Sequence, residues 1–496
     1  MKKYILAITV FFTLGISACK KDFLNLEENP NSPSETTPEL TLSGAEVVTA
    51  SIVNTGYPQY GVWAGYWVTS GNYVPSTTIQ QYQFTNANFS GVWTSVYSNL
   101  TNYNNLYNTA AADASLANFK AIAMIMKAYN FQQLVDNFNN VPYSQAFQPT
   151  KYLFPQYDKG IDIYHDLGVQ LTDAIQLINN SGSARNPGTA DVIFGGDMTA
   201  WKRFANTIKL RLAVRISTKF PNDPLIDGLE STAAEGYLDE NLQAAVNPGY
   251  QKVESKQSPF YGAFGLDANG NATFGNSFYV ANAYSVSLLD NLNDPRLFKL
   301  YDLTLDPSAP AGSEPSIIRG NVFGDVANSL PNSNTSLIGK GLLKSDDQDA
   351  ILLSSAESLF LQAEASQKGF IGGDAKAFYE KGITASFQAL GLTAAQAATY
   401  YNQARANVGW AASSNKLQAI ITQKWISLNG YGNLEAFNEY RRTGYPNLPS
   451  SLDPAAVSDT LPTRIFYPLS ELTTNPENLG KEGDIDPFTS KIFWAN

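Results

Sequence analysis

The stretch Leu116-Ala117-Asn118-Phe119-Lys120-Ala121-Ile122-Ala123-Met124-Ile125-Met126-Lys127-Ala128-Tyr129-Asn130-Phe131-Gln132-Gln133-Leu134-Val135 decides the fold. Phe119, Ile122, Ala123, Ile125, Met126, Tyr129, Phe131 and Leu134 leave almost no polar side. A half-exposed strand would alternate and a surface helix would show one apolar stripe; this run predicts a helix buried all round. Such a helix needs others to cover it. Val92 to Ala110 offers Trp93, Val96, Tyr97, Leu100, Tyr103, Asn104 and Tyr107 near helical spacing. Asp158 to Ile178 repeats the pattern with Ile161, Tyr164, Leu167, Leu171, Ile175 and Ile178. Met198 to Thr218 does so with Trp201, Phe204, Ala205, Ile208, Leu212 and Ile216.

Further along, helices are predicted at Leu352 to Gln367, Asp374 to Leu390, Ala394 to Asn407, Lys416 to Leu428 and Leu434 to Arg441. Gly369 and Gly372-Gly373 sit where helix ends need glycine. From about 248 to 345 the character changes to Gly, Asn, Pro and aromatics, as in Phe260-Tyr261-Gly262-Ala263-Phe264-Gly265. That stretch predicts loops, a few short strands and one helix near Ala283 to Leu292. The fold class is therefore all-α (mainly α): helical hairpins flanking a loop-rich insert. Hairpins of this length point to tetratricopeptide-like packing, with a period of about 34 residues. Ala363, Gly369, Ala377, Tyr379 and Ala385 fit one such unit, while no regular repeat runs through the chain.

The N-terminus carries the only cysteine, Cys19. Met1 to Lys3 are basic at their end, Tyr4 to Ile16 are apolar but too short to span a bilayer comfortably, and Ile16-Ser17-Ala18 supplies small residues. A cysteine directly behind such a segment is the pattern of a bacterial lipoprotein, with residues 1–18 removed and Cys19 acylated. At roughly 0.8 kcal/mol per buried CH₂, several acyl chains anchor a protein where one would not. Residues 19–44 read as a lipidated tether, because Asn25 to Pro38 is polar and rich in Asn and Pro. Residues 45–496 read as one domain.

Removing residues 1–18 takes away two lysines and no acid, so the formal net charge moves from −11 to −13. An acidic chain is a poor binder of nucleic acid, whose phosphates demand Lys and Arg. Lys202, Arg203, Lys209, Arg211 and Arg215 share one predicted helix and read as solvated faces and internal ion pairs rather than a basic patch. With Cys19 acylated, no disulfide can form within the chain.

Catalytic templates fail. The single histidine, His165, lies on a predicted helix and reads as a surface or packing residue. No Gly-x-Ser-x-Gly elbow, Walker loop or His-Glu-x-x-His occurs. Asp267-Ala268-Asn269-Gly270-Asn271 begins like a calcium loop, then has Ala272 and Phe278 where Gly and Glu are needed, and reads as an Asn-Gly turn. Asp346, Asp347 and Asp349 read as solvated loop acids. No cofactor, metal or catalytic residue is expected. A carboxylate pair brought together in space would make the chain a surface glycoside hydrolase, and no specific pair is nominated.

Aromatics are the better lead. Tyr57, Tyr60, Trp63, Tyr66, Trp67, Tyr73, Tyr82, Phe84, Phe89 and Trp93 crowd one region interspersed with Gly and Asn. Exposed rings beside amides stack on sugar faces while the amides bond hydroxyls. Trp67, Tyr73 and Tyr82 are the first expected ligand contacts, and Phe260, Tyr261 and Tyr279 the next. Trp63 and Trp67, four residues apart, are expected on one helical face.

Ordered motifs then run through nearly the whole mature chain. They are Cys19-Lys20-Lys21-Asp22-Phe23-Leu24, Asn29-Pro30-Asn31-Ser32-Pro33, the run Ala121 to Tyr129 with Asp136, and Val141-Pro142-Tyr143-Ser144. Gly195-Gly196-Asp197, Trp201, Phe204-Ala205-Asn206 and Lys209-Leu210-Arg211 follow. Glu364-Ala365, Gln423-Lys424-Trp425, Glu439-Tyr440-Arg441-Arg442-Thr443-Gly444-Tyr445-Pro446, Pro462-Thr463-Arg464 and Tyr467-Pro468 close the series. In this order they resemble the SusD/RagB family of outer-membrane nutrient-binding lipoproteins.

The resemblance implies a non-enzymatic lid on a SusC-type TonB-dependent transporter, capturing an oligosaccharide, or alternatively a peptide, at the outer membrane. It implies a tetratricopeptide-like scaffold with inserts shaping the ligand face, and Lys20-Lys21-Asp22 resembles the signal sending such lipoproteins to the cell exterior. It carries over no ligand motif. Arg441-Arg442 reads as a structural tie between helices.

Overall fold

The computed structural model describes residues 36–310 and 312–496, so Cys19 and the predicted signal and most of the tether lie outside it. Ten helices carry the scaffold: α1 (Pro38–Thr55), α2 (Ser90–Ala111), α3 (Ala117–Phe138), α4 (Gly160–Asn179), α5 (Met198–Ile216), α6 (Ser355–Gln367), α7 (Ala375–Ala389), α8 (Ala394–Tyr401), α9 (Lys416–Leu428) and α10 (Asn433–Thr443). Each of the first five packs on the next, α5 reaches across to α6, and α6 packs on α7 and α9. Successive hairpins thus build one mainly helical, tetratricopeptide-like array.

α3 lies where its composition demands. From Asn118 to Phe138 every side chain except Lys120 and Lys127 is buried. Fully burying a Leu, Ile, Phe or Met contributes about 1.5–3 kcal/mol, so this helix is the axis on which α2 and α4 condense.

Three expectations need correction. α1 runs through the end of the expected tether, because Pro38 occupies the first helical turn, where its missing N–H costs nothing. Thr37 caps that turn, its hydroxyl accepting from the Leu40 N–H at 3.3 Å. The expected helix from Leu352 begins instead at Ser355: Ser354 caps it, accepting from the Glu357 N–H at 3.1 Å, and the residues before it form a strand. The helix expected to reach Asn407 stops at Tyr401, since Asn407 adopts a φ of +63° and offers its carbonyl to the Gln423 amide at 2.8 Å.

Among the described residues, four short strands make two antiparallel pairs. β1 (Trp67–Thr69) pairs with β3 (Tyr279–Ala281) in the register Trp67↔Ala281 and Thr69↔Tyr279. β2 (Ala244–Val246) pairs with β4 (Ala350–Leu353), placing Val246 beside Ala350. The second pair closes off the intervening insert; the first ties that insert to the N-terminal loop.

Charge runs through the seam between the two helical halves. Arg211 and Arg215 of α5, both buried, meet Glu357 at 3.2 Å and Asp136 at 2.7 Å, and both face Glu435 of α10. Arg442 holds both oxygens of Glu364 at 2.7 Å and also pairs with Glu439, which Lys424 reaches at 2.9 Å. Burial would raise the Glu439 pKa, but Arg442 and Lys424 outweigh it and hold it well below the usual carboxylate range. Arg441 donates to the Asp136 and Thr463 carbonyls at 2.7 and 2.8 Å. Lys209 is also buried, donating to the Thr232 hydroxyl at 2.8 Å, so the cationic face of α5 is turned inward. Removing one partner of such a buried pair costs about 3–5 kcal/mol, which makes the seam a strong constraint on how the halves meet.

Candidate ligand site

β1 and β3 lay down two aromatic layers, one inside the other. The inner layer is Trp67, Phe260, Phe264 and Tyr279. Trp67 lies 5.3 Å from the Phe264 ring, 5.7 Å from Tyr279 and 6.5 Å from Phe260. Phe260 and Trp67 have no exposed surface, and Tyr279 is buried with burial pushing its pKa up. Trp67 owes this place to Gly65, whose φ of +78° ends the short helix Pro58–Trp63 and turns the chain into β1. Trp63 and Trp67 therefore do not share a helical face.

Tyr82 belongs to a separate buried group. Its ring meets Phe323 and Phe488 edge-on at 6.2 and 6.0 Å, and its hydroxyl accepts from the Ser451 N–H at 2.8 Å. Trp67, Tyr82, Phe260 and Tyr279, expected as ligand contacts, are thus placed in the buried core. Protein groups already occupy their faces, because rings near β-strands and short helices gain more by covering one another than by facing water.

The outer layer is Tyr73, Phe274 and Phe278. The Tyr73 ring lies 5.1 Å from Phe278 and 5.8 Å from Phe274, and the two Phe rings stack at 4.9 Å. Phe274 is 67% exposed, an unusual fraction for a Phe already packed against two rings. Phe278 meets Tyr279 edge-on at 4.9 Å, so the surface layer rests on the core layer. Tyr261 is half-buried on the neighbouring helix Pro259–Phe264, and burial together with Asp346 raises its pKa.

Phe274 and Phe278 were not among the expected residues. The available signal was Phe274-Gly275-Asn276-Ser277-Phe278, two rings one turn apart with polar residues between, following the Asn-Gly turn. Thr273 caps this turn of helix, accepting from the Asn276 N–H at 3.3 Å.

Beside the outer layer runs a groove of about 170 Å³ lined by Ser70, Tyr73, Gln80, Asp325 and Ser329 among others. Its floor is tight: a Cβ on Gly71 would meet the Ser329 carbonyl oxygen at 2.5 Å, and the Gly71 N–H donates to the Leu330 carbonyl at 2.8 Å. Asn72 accepts from the Asn332 N–H at 2.8 Å and fixes the same loop pair. The arrangement offers flat apolar faces beside hydrogen-bonding groups, the chemistry of carbohydrate recognition.

His165 lies 3.0 Å from Asp223, whose carboxylate also accepts from the Leu225 N–H. Asp267 accepts from the N–H groups of Asn269 and Asn271, and Gly270 takes a φ of +87°, which makes this segment a turn. Among the described residues no group of three or more His, Cys, Asp or Glu is placed to hold a metal ion, and no helix is long and apolar enough to cross a membrane.

These features define a helical scaffold presenting a loop-built aromatic face. The sequence pattern of SusD-like proteins, described as starch-binding and associating with the outer membrane, matches residues 30–468. The chain belongs to the SusD-like family, a family of outer-membrane nutrient-binding proteins. Solved structures agree. A chitin-binding protein superposes with a TM-score of 0.76 at 25% identity, covering 93% of this chain and all of its own. A chitin-binding SusD homolog from Flavobacterium johnsoniae gives 0.75 at 23%, covering 92% of this chain and 98% of its own. A SusD homolog from Bacteroides vulgatus gives 0.74 at 20%, covering 89% and 92%. No curated protein matches the chain in sequence.

Proposed function

We propose that the protein captures oligosaccharides at the outer membrane and delivers them, as a lid, to a SusC-type TonB-dependent transporter. It acts without catalysis, and Cys19 carries the lipid that holds it there. The observation that carries this reading is the Tyr73–Phe274–Phe278 cluster, in which Phe274 is exposed and Tyr73 borders a groove edged with polar side chains. Sugar rings present C–H faces that stack on such rings, and Gln80, Ser70 and Asp325 serve hydroxyl groups alongside. Tyr261 flanks this face as a further contact. Two structural relatives described as chitin-binding support N-acetylglucosamine oligomers as the first ligand class to test.

The test is a titration of chito-oligosaccharides, malto-oligosaccharides and peptides against the full mature chain in detergent, with Phe274→Ala beside it. Saturable glycan binding that weakens in the variant is the expected result. Binding of peptides alone would replace the glycan by a peptide, and glycan turnover would make the protein a hydrolase. Co-purification with a transporter checks the lid role separately.

A further inference from the structure

The hairpin of α2 and α3 carries uncompensated charge of one sign. α2 has no acid, and the single acid of α3, Asp136, is buried in the charged seam. Lys120 and Lys127, the side chains between Asn118 and Phe138 that escape burial, lie two turns apart on one face of α3. Both ammonium groups sit over the Tyr107 ring of α2, 5.2 and 5.0 Å from its centroid. Among the described residues neither makes an ion pair, in a chain whose formal net charge is −11.

Lys127 reaches a cavity of about 340 Å³ bounded by α2, α3, α4 and the loop 143–148. It shares no lining residue with the groove at Tyr73, and its size lies at the small end of ordinary ligand pockets. Phe131, Tyr143 and Phe147 give it an aromatic wall, the Phe131 ring meeting Tyr143 edge-on at 4.6 Å and Phe147 at 6.2 Å. The loop behind that wall is held firmly. Asp158 accepts from the Tyr143 and Ser144 N–H groups, both at 2.9 Å. Phe147 takes a φ of +60°, a costly conformation for a bulky side chain that persists only where its surroundings enforce it.

Polar groups in the cavity are accessible and uncommitted. Asn108 is exposed and Gln170 half-buried, and neither side chain has a hydrogen-bond partner among the described residues. The Lys127 amine donates to the Asn104 amide oxygen at 2.9 Å, and an ammonium has further donors to spare. No acid lines the cavity, and Lys127 is the single cation among its lining residues. Asp166 of α4 acts on that amine through space, yet its carboxylate is taken by the Tyr143 hydroxyl. Burial lowers the Lys127 pKa, so an arriving anion would stabilise a charge that the fold leaves unmatched.

We propose that this cavity binds a hexuronate, a hydroxylated ring bearing one carboxylate, independently of the aromatic face at Tyr73. Lys127 pairs with the carboxylate, Asn108 and Gln170 bond ring hydroxyls, and the Phe131–Tyr143–Phe147 wall meets C–H faces. A neutral sugar would leave Lys127 unpaired, and a doubly charged group such as phosphate would bring more charge than the one lining cation matches.

The test measures binding of glucuronate and galacturonate to the full mature chain in detergent by calorimetry, with glucose and inorganic phosphate as comparators. One site per chain is expected for a uronate, at least about tenfold tighter than for either comparator and weakening with added salt. Lys127→Met keeps the apolar stem and removes the charge, and is expected to weaken uronate binding at least about tenfold, the loss of one charge-assisted bond. Asn108→Trp, at an exposed position, narrows the cavity with the charge intact and is expected to weaken it comparably. A Tyr73→Ala/Phe274→Ala variant should bind the uronate as wild type does, while Lys127→Met should keep wild-type binding of neutral oligosaccharides. The proposal is overturned if neither uronate binds, if glucose or phosphate binds as tightly, or if the outer-face variant loses the uronate. It is equally overturned if folded Lys127→Met binds the uronate unchanged; should that variant not fold, unchanged affinity in Asn108→Trp overturns it. Loss of neutral-oligosaccharide binding in Lys127→Met would instead count against the function proposed for Tyr73 and Phe274.

Discussion

The inner and outer aromatic layers are built from the same residue types a few ångströms apart, yet they do opposite work. Trp67, Phe260, Phe264 and Tyr279 cover each other and hold β1 and β3 together. Tyr73, Phe274 and Phe278 also touch each other, but Phe274 stays largely exposed while Tyr73 and Phe278 are half-buried. Composition cannot separate the two; only the elements stacked above a ring decide whether it is core or contact.

Breaking the inner layer should have the largest effect. Trp67→Ala is expected to cost about 3–5 kcal/mol of stability, the range for truncating a buried aromatic, and is read by urea unfolding. A purely ligand-directed role for Trp67 would leave the unfolding midpoint in place. Next comes the charged seam, a second buried reference. Glu439→Gln should cost about 3 kcal/mol at pH 7 by leaving Arg442 and Lys424 under-compensated.

The same residue sets a pH dependence. Its folded pKa lies below the unfolded value near about 4.3, so its stabilisation is full above that value and is lost as the pH falls below it. Glu435 and Glu364 act in the same direction, being held low by Arg215 and Arg442 against the cost of burial. Asp136 and Glu357 act oppositely, raised by burial, and soften the slope. The wild type should therefore lose stability from pH 5 to 3 more steeply than Glu439→Gln; parallel pH curves would show that the pair contributes no such term.

The outer layer predicts smaller numbers in a different measurement. Phe274→Ala should leave unfolding within about 0.5 kcal/mol of wild type, as for exposed positions. It should weaken oligosaccharide binding by about 0.5–1.5 kcal/mol, roughly two- to thirteenfold in Kd. Tyr261→Phe, at the edge of this face, should change affinity by less than about twofold. Equal stability losses in Trp67→Ala and Phe274→Ala would erase the distinction between the layers.

Helices bearing a sustained apolar period were legible in the sequence. α9 runs from Lys416 to Leu428 as its spacing requires, and α3 is buried as its lack of a polar side requires. α1 was hidden by Pro38, since proline breaks a helix in its middle but starts one at its edge. β4 was hidden because Ala350–Leu353 is a short aliphatic run that suits either element until a partner strand is known.

The candidate ligand face was the least legible. Loop chemistry argued against a core place for Tyr73, and the structure leaves it half-buried beside Phe274. Phe274 and Phe278 were missed because their exposure depends on what the rest of the chain leaves uncovered, a property no local pattern records.

The pairing of Val246 with Ala350 has a consequence for how such a protein diversifies. The long excursion between them departs and returns through a single doorway in the helical wall. A differently shaped cassette could be grafted at that doorway with no helix rethreaded. One inherited frame could then be refitted for many diets by exchanging a single contiguous piece of gene.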